Sequence, residues 1–313
     1  MKKNIVETKK LPALPFDEWT DTRLTIHLIL QIIGKTRLKS TTRKNHWWYI
    51  TLYVTPRGFG THGIPINDGL DSFEIELDIK RKAVIISRSS GEDIELSLAE
   101  NPGIAEFYTR FMTEINSLGV FPKFIEKPFD VGIDKRFDEI TEYHHYDWKF
   151  INTFWKLMLW NNSVFQEFSG RFYGKSCPVH IYWHHLDLVV TRFSGKKLPA
   201  MDKSARILEK ETYSHEQISF GFWVGDNKVP EPMYYSYTYP SPDGIDDEPL
   251  QPKEAFWQDS NGSPMALLRY ADVKNSVNPR KVVLSFLEST YLAGAKRAKW
   301  DIDELTVPDL DQL

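Results

Sequence analysis

Phe172 to Gly195 reads F-Y-G-K-S-C-P-V-H-I-Y-W-H-H-L-D-L-V-V-T-R-F-S-G and holds three of the nine histidines and the single cysteine of a 313-residue chain. An earlier stretch echoes it: Ile33-Gly34-Lys35 is followed by Asn45-His46-Trp47-Trp48, then by Leu52-Tyr53-Val54-Thr55-Pro56-Arg57-Gly58. Each copy runs Gly-Lys, then a histidine in an aromatic, β-branched run, then Val-Thr with an arginine nearby. Each is followed by an Asn-Pro pair suited to capping a helix, Asn101-Pro102 and Asn278-Pro279. The agreement lies in order and chemistry more than in spacing. It predicts an α+β fold built by internal duplication, two similar halves each with an antiparallel sheet flanked by helices and related by a pseudo-twofold axis. The junction between the halves is then the natural cleft.

Working outward, Trp19 to Ile33 has helical spacing with Gly34 as its stop, and Trp47 to Thr55 has the composition of a strand. Pro56 to Pro65 reads as a loop carrying His62. Phe73, Ile75 and Leu77 alternate with Glu74, Glu76 and Asp78, a period of two that marks a strand with one wet face. A partner strand follows at Ala83 to Arg88, then a short one at Ile94 to Leu98, then a helix capped by Asn101. Residues 119–142 lack periodicity and carry several Pro and Asp, so they read as a connector between a first half at 1–118 and a second at 143–313. The second half opens on a strongly apolar helix near Tyr146 to Phe168. Strands are expected at Pro178 to Trp183, Leu186 to Phe193, Glu216 to Val224, Met233 to Tyr239 and Met265 to Tyr270. A helix capped by Asn278 closes the chain.

Composition excludes several classes. Hydrophobic residues at 41% and charged residues at 26% are those of a soluble globular protein, and a net charge of -4 gives no basic face for nucleic acid. One cysteine excludes an internal disulfide and a cysteine-built zinc or redox centre. No apolar run reaches a membrane span and the start lacks the apolar core of a signal peptide, so the expected compartment is the cytoplasm. Ten tryptophans and an aromatic share of 14% suit both a ring-packed core and a lined pocket.

Three chemistries are open to the polar residues. His46, His180 and His215 are the candidate ligands of a divalent metal, with Asp187 or Glu216 as carboxylate, although no H-E-x-x-H or similar spacing is present. Without metal, His180 and His215 are candidate acid–base groups, with Glu216 orienting a ring and Tyr182 or Tyr213 as donor. Arg57, Arg192 and Lys175 are candidate anion clamps, and Trp47, Trp48 and Trp183 candidate apolar walls. Against each stands the plain alternative of structural histidines and internally paired cations. Neither Gly-Lys step is a phosphate-binding loop, and no G-x-S-x-G or G-x-G-x-x-G occurs. Cys177 reads as a small buried side chain.

Nearly the whole chain resembles an uncharacterised bacterial family, a domain of unknown function. The likeness rests on Trp19-Thr20-Asp21-Thr22, Asn45-His46-Trp47-Trp48, Leu52 to Gly58, Ser176-Cys177-Pro178-Val179-His180, Val190 to Gly195 and Tyr213-Ser214-His215-Glu216-Gln217. The resemblance implies a cytoplasmic bacterial protein without an assigned activity, and implies no need for histidine at positions 184 and 185. The expectation is therefore a protein that takes a small anionic molecule in a cleft lined by His, Arg and Trp. It acts there as an enzyme or as a binding module. A scaffold working through the segment Ser241 to Lys253 is the further alternative.

Overall fold

The computed structural model describes residues 10–260 and 262–308. Helix α1, Thr20–Ser40, is buried almost continuously from Thr25 to Arg37. It runs through Gly34 rather than ending there. A Cβ at that position would lie 2.2 Å from Cδ1 of Trp183, so the glycine is a flat spot against which an indole packs, and not a helix stop.

The first sheet is formed by β1 (Tyr53–Val54), β2 (Gly58–Gly60), β3 (Ile64–Ile66), β4 (Asp71–Asp78), β5 (Ala83–Arg88) and β6 (Ile94–Ser97). All pairings are antiparallel, in the order β1-β2-β4-β5-β6 with β3 also alongside β4. Most of the strand expected at Trp47 to Thr55 is instead turn. His46 and Trp47 both take positive φ, 55° and 61°, inside a single 3-10 turn at Asn45–Trp47. The Tyr49 carbonyl accepts from Arg37 Nε at 3.0 Å and Thr41 Oγ1 at 2.9 Å. It is thus satisfied by the end of α1 and not by a ladder. Helix α2, Ile104–Ser117, starts after Gly103 without a side-chain cap, while Asn101 spends its local freedom on a left-handed turn at φ 54°. Its buried stripe includes Phe107, Phe111 and Ile115.

In the second half α3, Trp148–Ser169, is capped by Asp147, whose carboxylate accepts from the amides of Lys149 and Phe150. Then come β7 (His180–Tyr182), β8 (Asp187–Lys197), the short α4 (Ile207–Thr212), β9 (His215–Trp223), β10 (Met233–Tyr239), β11 (Phe256–Ser260), β12 (Ser263–Arg269), the short α5 (Tyr270–Asn275) and α6 (Pro279–Arg297). This sheet is also antiparallel, in the order β11-β12-β10-β9-β8-β7. Asn278 caps α6 through Lys281 N with Pro279 in the first turn, as its sequence predicts.

Two six-stranded antiparallel sheets and six helices make a mixed α+β fold. The sheets meet edge to edge. Leu52, next to β1, and Ile181 of β7 exchange two backbone hydrogen bonds of 3.0 and 2.8 Å. One buried apolar cluster runs through both halves, from Ile29, Phe59 and Phe111 to Phe154, Phe220 and Phe286. The segment from Ser241 is held down rather than free: Ile245 is buried and Glu248 pairs with Lys296 and Arg297 of α6. No described helix is long and apolar enough to cross a membrane.

Candidate functional site

The seam between the halves gathers His46 and Trp48 from the first and Lys175, Phe193 and His215 from the second. The left-handed pair His46-Trp47 turns the chain so that the His46 ring lies on Phe193, centroids 4.6 Å apart, and beside Trp48 at 5.1 Å. Non-glycine residues held at positive φ store strain of about 1–3 kcal/mol each, and second-half groups hold this pair in place. Glu211 of α4 accepts from His46 N at 3.0 Å and is ion-paired to Arg43. Trp47 Nε1–H donates to the Leu208 carbonyl at 3.1 Å, and Tyr182 Oη–H to the His46 carbonyl at 3.2 Å.

His215 reaches the site through an irregularity in the β8–β9 ladder between Phe193 and Lys197, which pairs His215 with Lys197. Its ring stands edge to face with His46, centroids 5.3 Å apart. Lys175 Nζ lies 5.5 Å from the centroids of both Trp48 and Phe193, a cation held over ring faces.

Both imidazoles titrate below their ordinary value. Burial is the main cause for His46, reinforced by Lys175 and His215 and opposed by the Thr212 carbonyl. For His215 the causes are burial, then Lys175 and Lys197. The Thr212 carbonyl can only accept, so His46 Nδ1, 3.3 Å away, carries the proton and Nε2 presents a lone pair. That Nε2 is buried without a partner among the described residues.

The other expected site residues are elsewhere. His180 is buried on β7, its Nδ1–H donating to the Pro178 carbonyl at 2.7 Å and its ring against Tyr182 at 4.6 Å. Burial pushes it down to about 4. Arg57 is at the surface, paired with Glu76 at 2.6 Å and Asp78 at 3.3 Å. Arg192 is 1% exposed, its guanidinium carbon 3.6 Å from the Phe168 centroid and 4.4 Å from that of Tyr291, with Glu288 at 3.8 Å. Successive β residues face opposite sides, so Arg192 points at α3 and α6 while Phe193 points at the seam. Glu216 likewise turns from His215, accepting from Ser194 Oγ at 2.8 Å with Lys196 at 3.7 Å. Trp183 packs on Gly34 and donates to the Ile50 carbonyl, as a core residue. Burial pushes the Cys177 thiol up to about 12, which suits a packed side chain and not a thiolate nucleophile.

Among the described residues no three His, Cys, Asp or Glu side chains are grouped as metal ligands. A depression of about 500 Å³ also opens at the junction, between Tyr53, His62, Gln166, Ser169 and Val179. There His62 stacks on Tyr53 with centroids 3.8 Å apart. Sequence reasoning missed Phe193, Glu211 and Thr212 as parts of the site. The charged run before His215 held no signal for Glu211 and Thr212, because their role depends on α4 docking across the seam.

The model of a family of unknown function (DUF5996) matches residues 11–307 of the chain. No curated protein and no solved structure matches it.

Proposed function

By residues 11–307 the chain belongs to the family of unknown function DUF5996, and we propose that it binds a small organic anion at the Lys175, His46 and His215 site between its halves. The observation that carries this reading is the placement of Lys175. Its ammonium rests on Trp48 and Phe193, with no carboxylate paired to it among the described residues, whereas Arg57 and Arg192 are committed to acidic partners. A carboxylate or phosphate there gains a charge-assisted hydrogen bond and two aromatic walls. Held below their ordinary value, the paired imidazoles are uncharged near neutrality before an anion arrives. An arriving anion raises their proton affinity and converts them into donors.

A second reading, acid–base turnover of the bound molecule, is favoured by one feature: His46 has a fixed tautomer and an unpartnered Nε2 lone pair. We also read the two halves as copies of one unit, 1–118 and 143–313, joined by 119–142. Each carries an opening helix, six strands and a closing helix, with the short helices α4 and α5 added in the second, between β8 and β9 and before α6.

Thermal unfolding with acetate, citrate and inorganic phosphate, wild type beside Lys175→Met and His215→Asn, tests the binding. The proposal expects at least one anion to raise the wild-type midpoint and to lose that effect in both variants. Equal responses in all three proteins would overturn it.

A further inference from the structure

The face of the second sheet turned away from α3 and α6 carries a second constellation. Register aligns Tyr235, Gly221, Val189 and His180 in one row across β10, β9, β8 and β7, with Tyr237, Ser219 and Thr191 in the next. Tyr182 lies opposite Asp187. A Cβ at Gly221 would come within 2.2 Å of Tyr235 Cζ, so the glycine lets that phenol lie flat across the strand. Tyr235 Oη then donates to Asp187 Oδ2 at 2.5 Å. Tyr182, Tyr235 and Tyr237 are each half-buried.

Two polar atoms on this face have no partner among the described residues: Asp187 Oδ1 and His180 Nε2, on side chains 8% and 1% exposed. Both are acceptors. His180 gives its Nδ1 proton to the Pro178 carbonyl, which leaves a lone pair on Nε2. A buried acceptor without a donor costs about 1–3 kcal/mol, so the missing group is a donor. Beside a carboxylate and over tyrosine faces, that donor is best positively charged.

We propose that this face binds an alkylammonium, R–NH3+, with its N–H groups on Asp187 Oδ1 and His180 Nε2 and its carbon chain on Tyr235 and Tyr237. It adjoins the anion site of Lys175, His46 and His215 through Tyr182, whose hydroxyl donates to the His46 carbonyl. Burial raises the Asp187 carboxyl above its ordinary value, and a bound cation would lower it again.

The test is calorimetric titration of the full chain with n-butylammonium chloride, beside sodium chloride and 1-butanol at matched concentration. Saturable binding of the ammonium alone is expected, with an affinity loss of about tenfold or more in Asp187→Asn, the change due when a hydrogen bond to a charged group is lost. Absence of saturable binding, equal binding of 1-butanol, or an unaltered affinity in Asp187→Asn would each overturn the proposal. Should Asp187→Asn fail to fold, the wild-type contrast between ammonium and alcohol decides. It is read from the ring signals of Tyr235 and Tyr237 by NMR: movement with the ammonium alone supports the site, and any other pattern rejects it.

Discussion

The rings of His46 and His215, one from each half of the chain, stand edge to face with centroids 5.3 Å apart. Protonating either disfavours protonating the other, and Lys175 depresses both. In Lys175→Met the proton affinities of both rings should therefore rise. In His215→Gln that of His46 should rise alone. Carbon-detected NMR titration of the imidazole signals reads both changes, and unmoved midpoints would mean that the two rings and the lysine do not share a site.

Stability should fall as the solution is acidified below neutrality. His27 is pushed down to about 3 and His180 to about 4 by burial. For a base whose folded value is depressed, the unfolded chain takes up the proton first. The stabilisation is therefore complete above the ordinary histidine value near 6.5 and is lost as pH falls from there toward 4 and 3. Each such group removes about 1.4 kcal/mol per pH unit within that window. Urea unfolding at pH 7, 6 and 5 should show the decline, and His27→Gln should flatten it. A pH-independent stability would sink this account of the buried rings.

Gly34→Ala sets helix propensity against packing. Alanine in mid-helix gains about 1 kcal/mol over glycine, but its Cβ would fall 2.2 Å from Trp183, whose Nε1–H is fixed on the Ile50 carbonyl. Overpacking of that kind costs about 1–3 kcal/mol or more. The substitution should destabilise on balance, and a rise in the unfolding midpoint would show that the Trp183 ring can move aside.

Arg192 is an internal cation and not a clamp. Its planar group stacks on Phe168 and Tyr291 and donates to the Phe168 carbonyl at 2.5 Å. Lysine offers neither the plane nor the fork. Arg192→Lys should lose about 1–3 kcal/mol of stability, the cost of a buried hydrogen-bonding arrangement broken, while anion affinity stays within about twofold of wild type. A large affinity loss in a folded variant would return Arg192 to the binding site.

Much of the architecture was legible because its signals are local. Asn278-Pro279 starts a helix, and the alternation from Phe73 to Asp78 is a strand. Gly34 and Asn101 misled for the opposite reason: tertiary contact with Trp183 and a left-handed turn overrode what each residue usually does. The candidate site was legible only as an inventory. His46, Trp48, Lys175 and His215 were all singled out, yet the partner of His215 is His46 and not His180. That pairing needs two consecutive left-handed residues and a ladder irregularity, and neither has a sequence signature. Arg192 and Phe193 are adjacent in sequence but face opposite sides of β8, which sends one to the core and the other to the seam.

The most direct measurement is an NMR titration of wild-type protein with inorganic phosphate at fixed ionic strength, following the His46 and His215 imidazoles. Anion binding beside Lys175 predicts a saturable upward shift in both proton affinities that is absent in Lys175→Met. Imidazoles that titrate identically with and without phosphate, together with citrate and acetate giving the same result, would contradict the anion site.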